Sequence, residues 1–372
     1  MKKVKVAIFI SDVGFGHMVR QREIITQLLK KIRNIDITVV NFSHIEILKE
    51  TFGKKISYKK YYNNITLYKD KNSFFNLKKS QQHINKWPKS FYKTEKFIKK
   101  NFINFDFFIS DFVPEVFEIG KKMKIPSFGV CHYTWSWYFS QIKGNTPRVI
   151  KLLKNYELNA TRNYFLPFTP KGVFLNYKKK KIYKKVGFVI NKVKIPKIKK
   201  SKKTFLIMDN GTKSLAKLID ELVPKLSDQI MFNFYIGISS LNNRSKKIIS
   251  ESRNLFPVIG LKGIYSYIKK VDHVIVRGGF NSITECLLFK KPSIFMSEKF
   301  NPEVEANLQI IKNKKLGSIM NHTDWNNEFF TKLKLFIKND SKNIKKNLDR
   351  LKISHNGAIE IVQDIKNVLK FN

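Results

Sequence analysis

The sequence predicts an α/β fold made of two successive doubly wound halves, and three observations carry that prediction. Short apolar runs alternate with amphipathic stretches at helical spacing, the pattern of a parallel sheet covered by helices on both faces. The alternation occurs twice, before and after a charged, unperiodic stretch that contains a proline. Finally, 372 residues with 42% hydrophobic content exceed one comfortable core and can fill two.

In the first series the strands read KVAIFIS (5–11), ITVVNF (37–42), FDFFISD (105–111), PSFGVCH (126–132) and GVFLN (172–176). Helical spacing falls on 18–31, 89–100 and 114–123. Residues 54–86, polar, lysine-rich and aromatic, follow neither period. The stretch NKVKIPKIKKSKK (191–203) reads as the linker, which makes 1–190 a first domain. A second domain, 204–355, then opens with strands TFLIMDN (204–210), MFNFYIGI (231–238), FPVIG (256–260), HVIVRGG (273–279), PSIFMS (292–297) and GSIM (317–320). Its helices are expected over 213–224, 280–290, 303–313 and 325–338, with a closing helix in 356–372 free to pack back on the first domain. Two such sheets in one chain imply a cleft, with ligands at the carboxyl ends of the strands.

Composition narrows the class. No stretch approaches the roughly 20 apolar residues of a spanning helix. The N-terminal apolar run is short, holds Lys5 and ends in Asp12 and a glycine loop, so it reads as a buried first strand rather than a signal peptide. Cys131 and Cys286 lie far apart and in no metal-ligand spacing, which fits free thiols in a reducing, cytoplasmic setting. The net charge of +44 has two readings: a polyanion partner, or compositional bias. Only nine of the 72 basic residues are arginines, and the lysines are dispersed as on a solvated surface. No nucleic-acid-binding module is evident, so no specific nucleic acid is expected. Attraction to anionic lipid on the inner face of a membrane, about 1 kcal/mol per basic residue near the surface, remains open.

Four loops carry candidate chemistry. SDVGFGHMVR (11–20) follows the first strand and opens a helix. Gly14 and Gly16 permit a tight turn and close approach, and His17 at the helix start could take a proton from a hydroxyl; equally, it could cap the helix or sit in the core. Asp111, ending the strand before Pro114, could orient His17, act as a base itself, or cap the following helix. MDNGTKS (208–214) offers Gly211 and Thr212 at a helix start to a diphosphate, or is a plain turn. The fourth and most specific is HVIVRGGFNSITECLLFKKPSIFMSEKFNPEVEANLQII (273–311). Here Arg277, Gly278 and Gly279 end a strand; Asn281, Ser282, Thr284 and Glu285 open a helix; Glu303 and Asn307 lie in an acidic segment beyond the next strand. A carboxylate at Glu285 suits two ribose hydroxyls, or merely the helix dipole.

Residues 273–311 resemble the donor-nucleotide motif of GT-B glycosyltransferases, especially the family 1/28 group related to the bacterial N-acetylglucosaminyltransferase of peptidoglycan lipid-precursor synthesis. The resemblance implies GT-B architecture and a nucleotide site lined by Arg277, Gly278, Gly279, Thr284 and Glu285, with Glu285 on the ribose. The family's Glu-Gln pair is Glu303-Val304 here, and Lys290-Lys291 replaces the glycine before Pro292. GFGHMVR resembles the family's glycine-His loop, ISDFVPEV…KIP resembles the strand-Asp-helix segment of teichoic-acid-type transferases, and VGFV (186–189) resembles the strand leading into the linker. The implied reaction is inverting transfer from a nucleotide-diphosphate sugar, such as a UDP-sugar, to a glycan or lipid-linked hydroxyl in cell-envelope polysaccharide synthesis. His17 would be the base, and the helix N-termini would stabilise the departing diphosphate. The chain has no Asp-x-Asp pair, so neither metal nor other cofactor is expected. Rival readings are a nucleotide-sugar hydrolase or epimerase of the same fold, and a non-catalytic binder of polyanions or membrane surfaces. The aromatic stretch CHYTWSWYF (131–139) offers faces to a sugar or lipid, or fills a core.

Overall fold

A computed structural model describes residues 3–13, 16–63, 65–71, 75–144, 147–177, 182–190, 202–208, 215–259, 265–322 and 325–371. Most of the expected linker, residues 191–201, lies outside them. The chain divides into two compact units: Met1–Tyr68, Asn76–Lys192 and Ser354–Asn372 form one, Lys69–Phe75 and Val193–Ile353 the other.

The first unit is built on seven parallel strands: β1 (Val4–Ile10), β2 (Ile35–Val40), β3 (Ser57–Lys59), β4 (Phe107–Asp111), β5 (Ser127–Cys131), β6 (Arg162–Phe165) and β7 (Tyr183–Lys185). Their order is β3-β2-β1-β4-β5-β6-β7. The central strands are continuous apolar runs because both faces are covered; all five residues of β4 and of β5 are buried. Phe9 meets Phe102 and Phe108 edge to face at 5.4 and 5.6 Å. The β1–β4 register pairs Ile10 with Asp111, so both strands end level. The helix Gly16–Lys31 leaves β1 and buries a stripe at helical spacing whose first turns are polar (His17, Arg20, Gln21) and whose continuation is apolar (Ile24, Ile25, Leu28). The helix Gly357–Leu369 packs against it. Asp364 fixes that closing helix by accepting from Arg162 Nη1, Lys184 Nζ and Tyr164 Oη at 2.8, 2.8 and 2.9 Å.

Two expectations are corrected here. GVFLN (172–176) is not a strand but falls mostly in the short helix Lys171–Leu175, started by Pro170. Only Val173 of that helix is buried, and Leu175 is largely exposed, so the run lacks the two apolar faces of an inner strand. The strands at this edge are instead β6 and β7. VGFV (186–189) is likewise irregular: Phe188 N donates to Ser354 O, and Gly357 N donates to Phe188 O. A Cβ on Gly357 would lie 2.1 Å from Gly187 O, so the two segments can touch only through glycine.

The second unit repeats the plan with six parallel strands: β8 (Lys203–Met208), β9 (Phe232–Gly237), β10 (Leu255–Val258), β11 (His273–Arg277), β12 (Ser293–Met296) and β13 (Ser318–Met320), ordered β10-β9-β8-β11-β12-β13. Among the described residues no helix is long and apolar enough to cross a membrane.

The aromatic stretch 131–139 is core. Trp135, Tyr138 and Phe139 are each 1% exposed. The helix Trp135–Ser140 is held by Glu157, whose carboxylate accepts from Ser136 N at 2.9 Å and from Ser136 Oγ. Burial pushes the Glu157 carboxyl up to about 7, against the pull of those hydrogen bonds. Unfolded, the group ionises near 4.5; folded, it keeps its proton to about 7. The unfolded chain therefore sheds a proton that the folded chain retains, and stability falls as pH rises through this window. Glu157→Gln removes that loss. Its melting temperature should gain on wild type between about pH 5 and 8, by on the order of 3 kcal/mol in stability. A gap that stays constant with pH would show that Glu157 is ionised in the fold.

Candidate functional site

The polar start of the first helix lies over the carboxyl end of β4. Asp111, with no exposed surface, takes donors from three side chains. His17 Nδ1 lies 2.7 Å from Oδ1, Arg20 Nε donates to Oδ2 at 2.6 Å while its Nη2 reaches Oδ1, and Gln21 Nε2 donates to Oδ2 at 2.8 Å. Burial alone would raise the Asp111 carboxyl, but the charge of Arg20, with the hydrogen bonds of Arg20 and His17, outweighs it and holds the group well below the usual carboxylate range. Asp111 is thus an ionised, inaccessible anchor. It neither caps the following helix nor reaches solvent as a base.

The tautomer of His17 follows from its neighbours. Arg20 Nη2 also lies 2.7 Å from Nδ1, and both Nη2 and a protonated Nδ1 are donors. Asp111 can only accept, so the contact to Oδ1 places the proton on Nδ1 and leaves Nε2 as the basic nitrogen. The ring is 11% exposed at its side chain, and Phe112 packs against it edge to face at 5.1 Å. Phe112 adopts φ 62, in the left-handed region that a bulky residue seldom occupies. Its ring also lies 5.3 Å from the Arg20 guanidinium.

Arg20, Gln21 and Phe112 are the members that sequence reading missed. The signal for the first two was present: positions i+3 and i+4 from His17 share its helix face. Gly16 is the first residue of the helix, and Gly14 lies outside the described residues, as do Gly211 and Thr212.

In the second unit the residues from 273 to 311 divide into two groups. Three of them have packing roles. A Cβ on Gly278 would lie 2.6 Å from Leu308, so this glycine lets a helix approach. Thr284, 2% exposed, donates to Phe280 O at 2.8 Å, and Asn307 Nδ2 donates to Gly278 O at 3.3 Å. These two side chains hold backbone, where the resemblance would have Thr284 line a nucleotide. Arg277 Nη1 donates to the buried Glu298 at 2.5 Å, and Asn301 Nδ2 shares the same oxygen at 2.6 Å. Gly279 is the N-cap of the helix Phe280–Leu288, whose first N–H donates to Glu303 Oε1 at 3.4 Å. Ser282 is buried, while Asn281 and Glu285 are half-buried on that helix. A cleft of about 750 Å³ runs along β13, beside Ser297, Glu305 and Asn321, but Arg277, Asn281 and Glu285 do not line it.

Comparison with known proteins agrees with this architecture. Residues 210–367 match the glycosyltransferase family 28 C-terminal domain. No curated protein matches the chain by sequence. Among solved structures, the calicheamicin glycosyltransferase CalG4 is 12% identical, with a TM-score of 0.73 over 100% of this chain and 99% of that one. MurG of Acinetobacter baumannii is 14% identical, with a TM-score of 0.64 over 98% and 100%. UGT2 of Phytolacca americana, solved with UDP-2fluoro-glucose and pterostilbene, is 11% identical, with a TM-score of 0.69 over 99% and 100%. Residues 210–367 therefore carry a glycosyltransferase family 28 C-terminal domain. More particularly, the whole chain has the GT-B fold of these solved glycosyltransferases.

The buried node at Asp111 makes a stability prediction. Asp111→Ala leaves the Arg20 guanidinium uncompensated and should cost about 3–5 kcal/mol in urea unfolding. Adding Arg20→Met should recover much of that loss. A cost below about 1 kcal/mol for the single variant would mean that Arg20 finds water or another acceptor, and that the node is not a structural anchor.

Proposed function

We propose that the protein transfers a sugar, with inversion, from a nucleotide-diphosphate donor such as a UDP-sugar to a hydroxyl of a glycan or lipid-linked acceptor. The observation that carries this reading is the His17–Asp111 pair, its Nδ1 2.7 Å from the carboxylate, which with the proton on Nδ1 leaves the Nε2 lone pair for a substrate. As the acceptor oxygen attacks the anomeric carbon, Nε2 takes the hydroxyl proton. The imidazolium that forms donates to an ionised carboxylate, which stabilises it without itself being protonated. Arg20 is a positioning residue: with Gln21 it fixes the carboxylate so that one oxygen faces Nδ1.

The second unit supplies the donor end. Half-buried Glu285 is proposed to accept from the ribose hydroxyls. The N-terminus of Phe280–Leu288 favours charge growing on the departing diphosphate, and Gly211 and Thr212 are proposed to assist. This requires Glu303 to yield its long contact with Phe280 N, or to act from there on the sugar. The reading invokes no metal ion, because fixed donors supply the stabilisation. The charge of +44 supports a cytoplasmic protein attracted peripherally to anionic membrane in cell-envelope polysaccharide synthesis.

Calorimetry with UDP, UDP-N-acetylglucosamine and GDP in the presence of chelator tests the donor end. Glu285→Ala should weaken the preferred nucleotide at least tenfold, about 1.4 kcal/mol. His17→Ala should bind it as wild type does yet lose transfer by about a hundredfold or more. Failure of every nucleotide to bind would sink the transferase reading. Free sugar released at full rate without an acceptor would replace it with hydrolysis.

A further inference from the structure

The loops that follow β1, β2 and β3 are tied together by one carboxylate. Asp12 Oδ1 accepts from Phe42 N at 3.1 Å and Ser43 N at 2.8 Å, and Asp12 Oδ2 accepts from Asn63 N at 2.8 Å. Beneath them Asn41 Nδ2 donates to Ile10 O at 3.0 Å, and Asn63 Nδ2 donates to the same oxygen. These loops are therefore not free to drift, and Asp12 belongs to the chain that leads into His17.

From this pinned platform two aromatic rings face solvent. Phe42 is 56% exposed and Tyr62 is 41% exposed, and they meet edge to face with centroids 6.3 Å apart at 83°. A single exposed aromatic needs no explanation. Two rings on separate loops, held at a right angle by backbone bonds to one carboxylate, form a corner with one open face on each wall.

We infer that this corner binds the acceptor, and that it takes a sugar ring. One wall suits the C–H face of a pyranose, and the other closes on its edge. Tyr62 adds a hydroxyl, bonded to Thr66, at the rim. A lipid chain would need an apolar strip leading away. Among the described residues, the exposed neighbours of the rings on these loops are Ser43 and Lys60, and the ring of Tyr61 is turned away to stack on Phe97 at 3.9 Å. The inference rests on the reading of His17 as the base that meets the acceptor, and it names that acceptor as a glycan rather than a lipid-borne hydroxyl without a sugar.

Saturation-transfer NMR tests it with the methyl glycosides of glucose, galactose and N-acetylglucosamine, and with geranyl phosphate as the chain probe. Wild type should saturate one face of at least one pyranose. Phe42→Ala/Tyr62→Ala should lose that signal at least fivefold with its melting temperature unchanged, because both side chains are exposed. An undiminished signal in the variant overturns the inference. So does the absence of contact with all three glycosides, or contact of the corner with the geranyl chain alone. UDP calorimetry on both proteins separates the two failures: UDP that binds neither protein overturns the donor reading while the sugar contact is still read directly, and UDP bound equally by both leaves any loss to the corner.

Discussion

Everything in the first unit that bears on chemistry depends on one buried carboxylate. Taking an ionised Asp111 out of water costs several kcal/mol unless its oxygens are filled. Four nitrogens fill them, all from one face of the first helix. The helix must therefore start within reach of the end of β4, and the sheet order arranges this by placing β4 directly beside β1. The level ending of the two strands brings residues 94 apart in sequence to hydrogen-bonding distance. Phe112, in its left-handed conformation, turns the chain away immediately after Asp111 and places a ring where it packs against both His17 and Arg20.

What the sequence made legible follows burial. β1 and β4 sit mid-sheet with both faces covered, so they read as unbroken apolar runs, and the same holds for β11 and β12. Strands near the sheet edge carry no such signature. β7 is Tyr-Lys-Lys, β6 opens with an arginine and an asparagine, and β3 is Ser-Tyr-Lys. The apolar run at 172–176 reads as a strand because five residues cannot distinguish a strand from a turn of helix without their surroundings. In the site, the glycines announced His17 and the strand end announced Asp111. Arg20 stayed hidden because an arginine on a helix reads as a solvated surface residue, and its partner lies 91 residues away.

Residues 273–311 form a distinctive ordered string, yet part of that order is packing. Gly278 admits Leu308, Thr284 holds its own helix, and Asn307 ties the next helix back to Gly278. A helix that must begin tightly after a strand and receive a second helix across its start needs these residue types whatever it binds. Asn281 and Glu285 stay half-buried on that helix, and Arg277 has its charge met by Glu298.

This accounts for how a chain with 28 acidic against 72 basic residues can fold around negative charge. Four of its scarce carboxylates stand at junctions, and each gathers two or more donors. Asp111 fixes the helix start, Asp12 joins three loops, Asp364 clasps the closing helix, and Glu298 joins Arg277 to the cap of the next helix. The surplus of lysine lies elsewhere, mostly on exposed positions, where at physiological salt each charge is screened within about 8 Å. Net charge therefore governs what the surface attracts, while the fold and the chemistry depend on the few carboxylates inside it. Removing one of those should change the structure far more than removing several lysines.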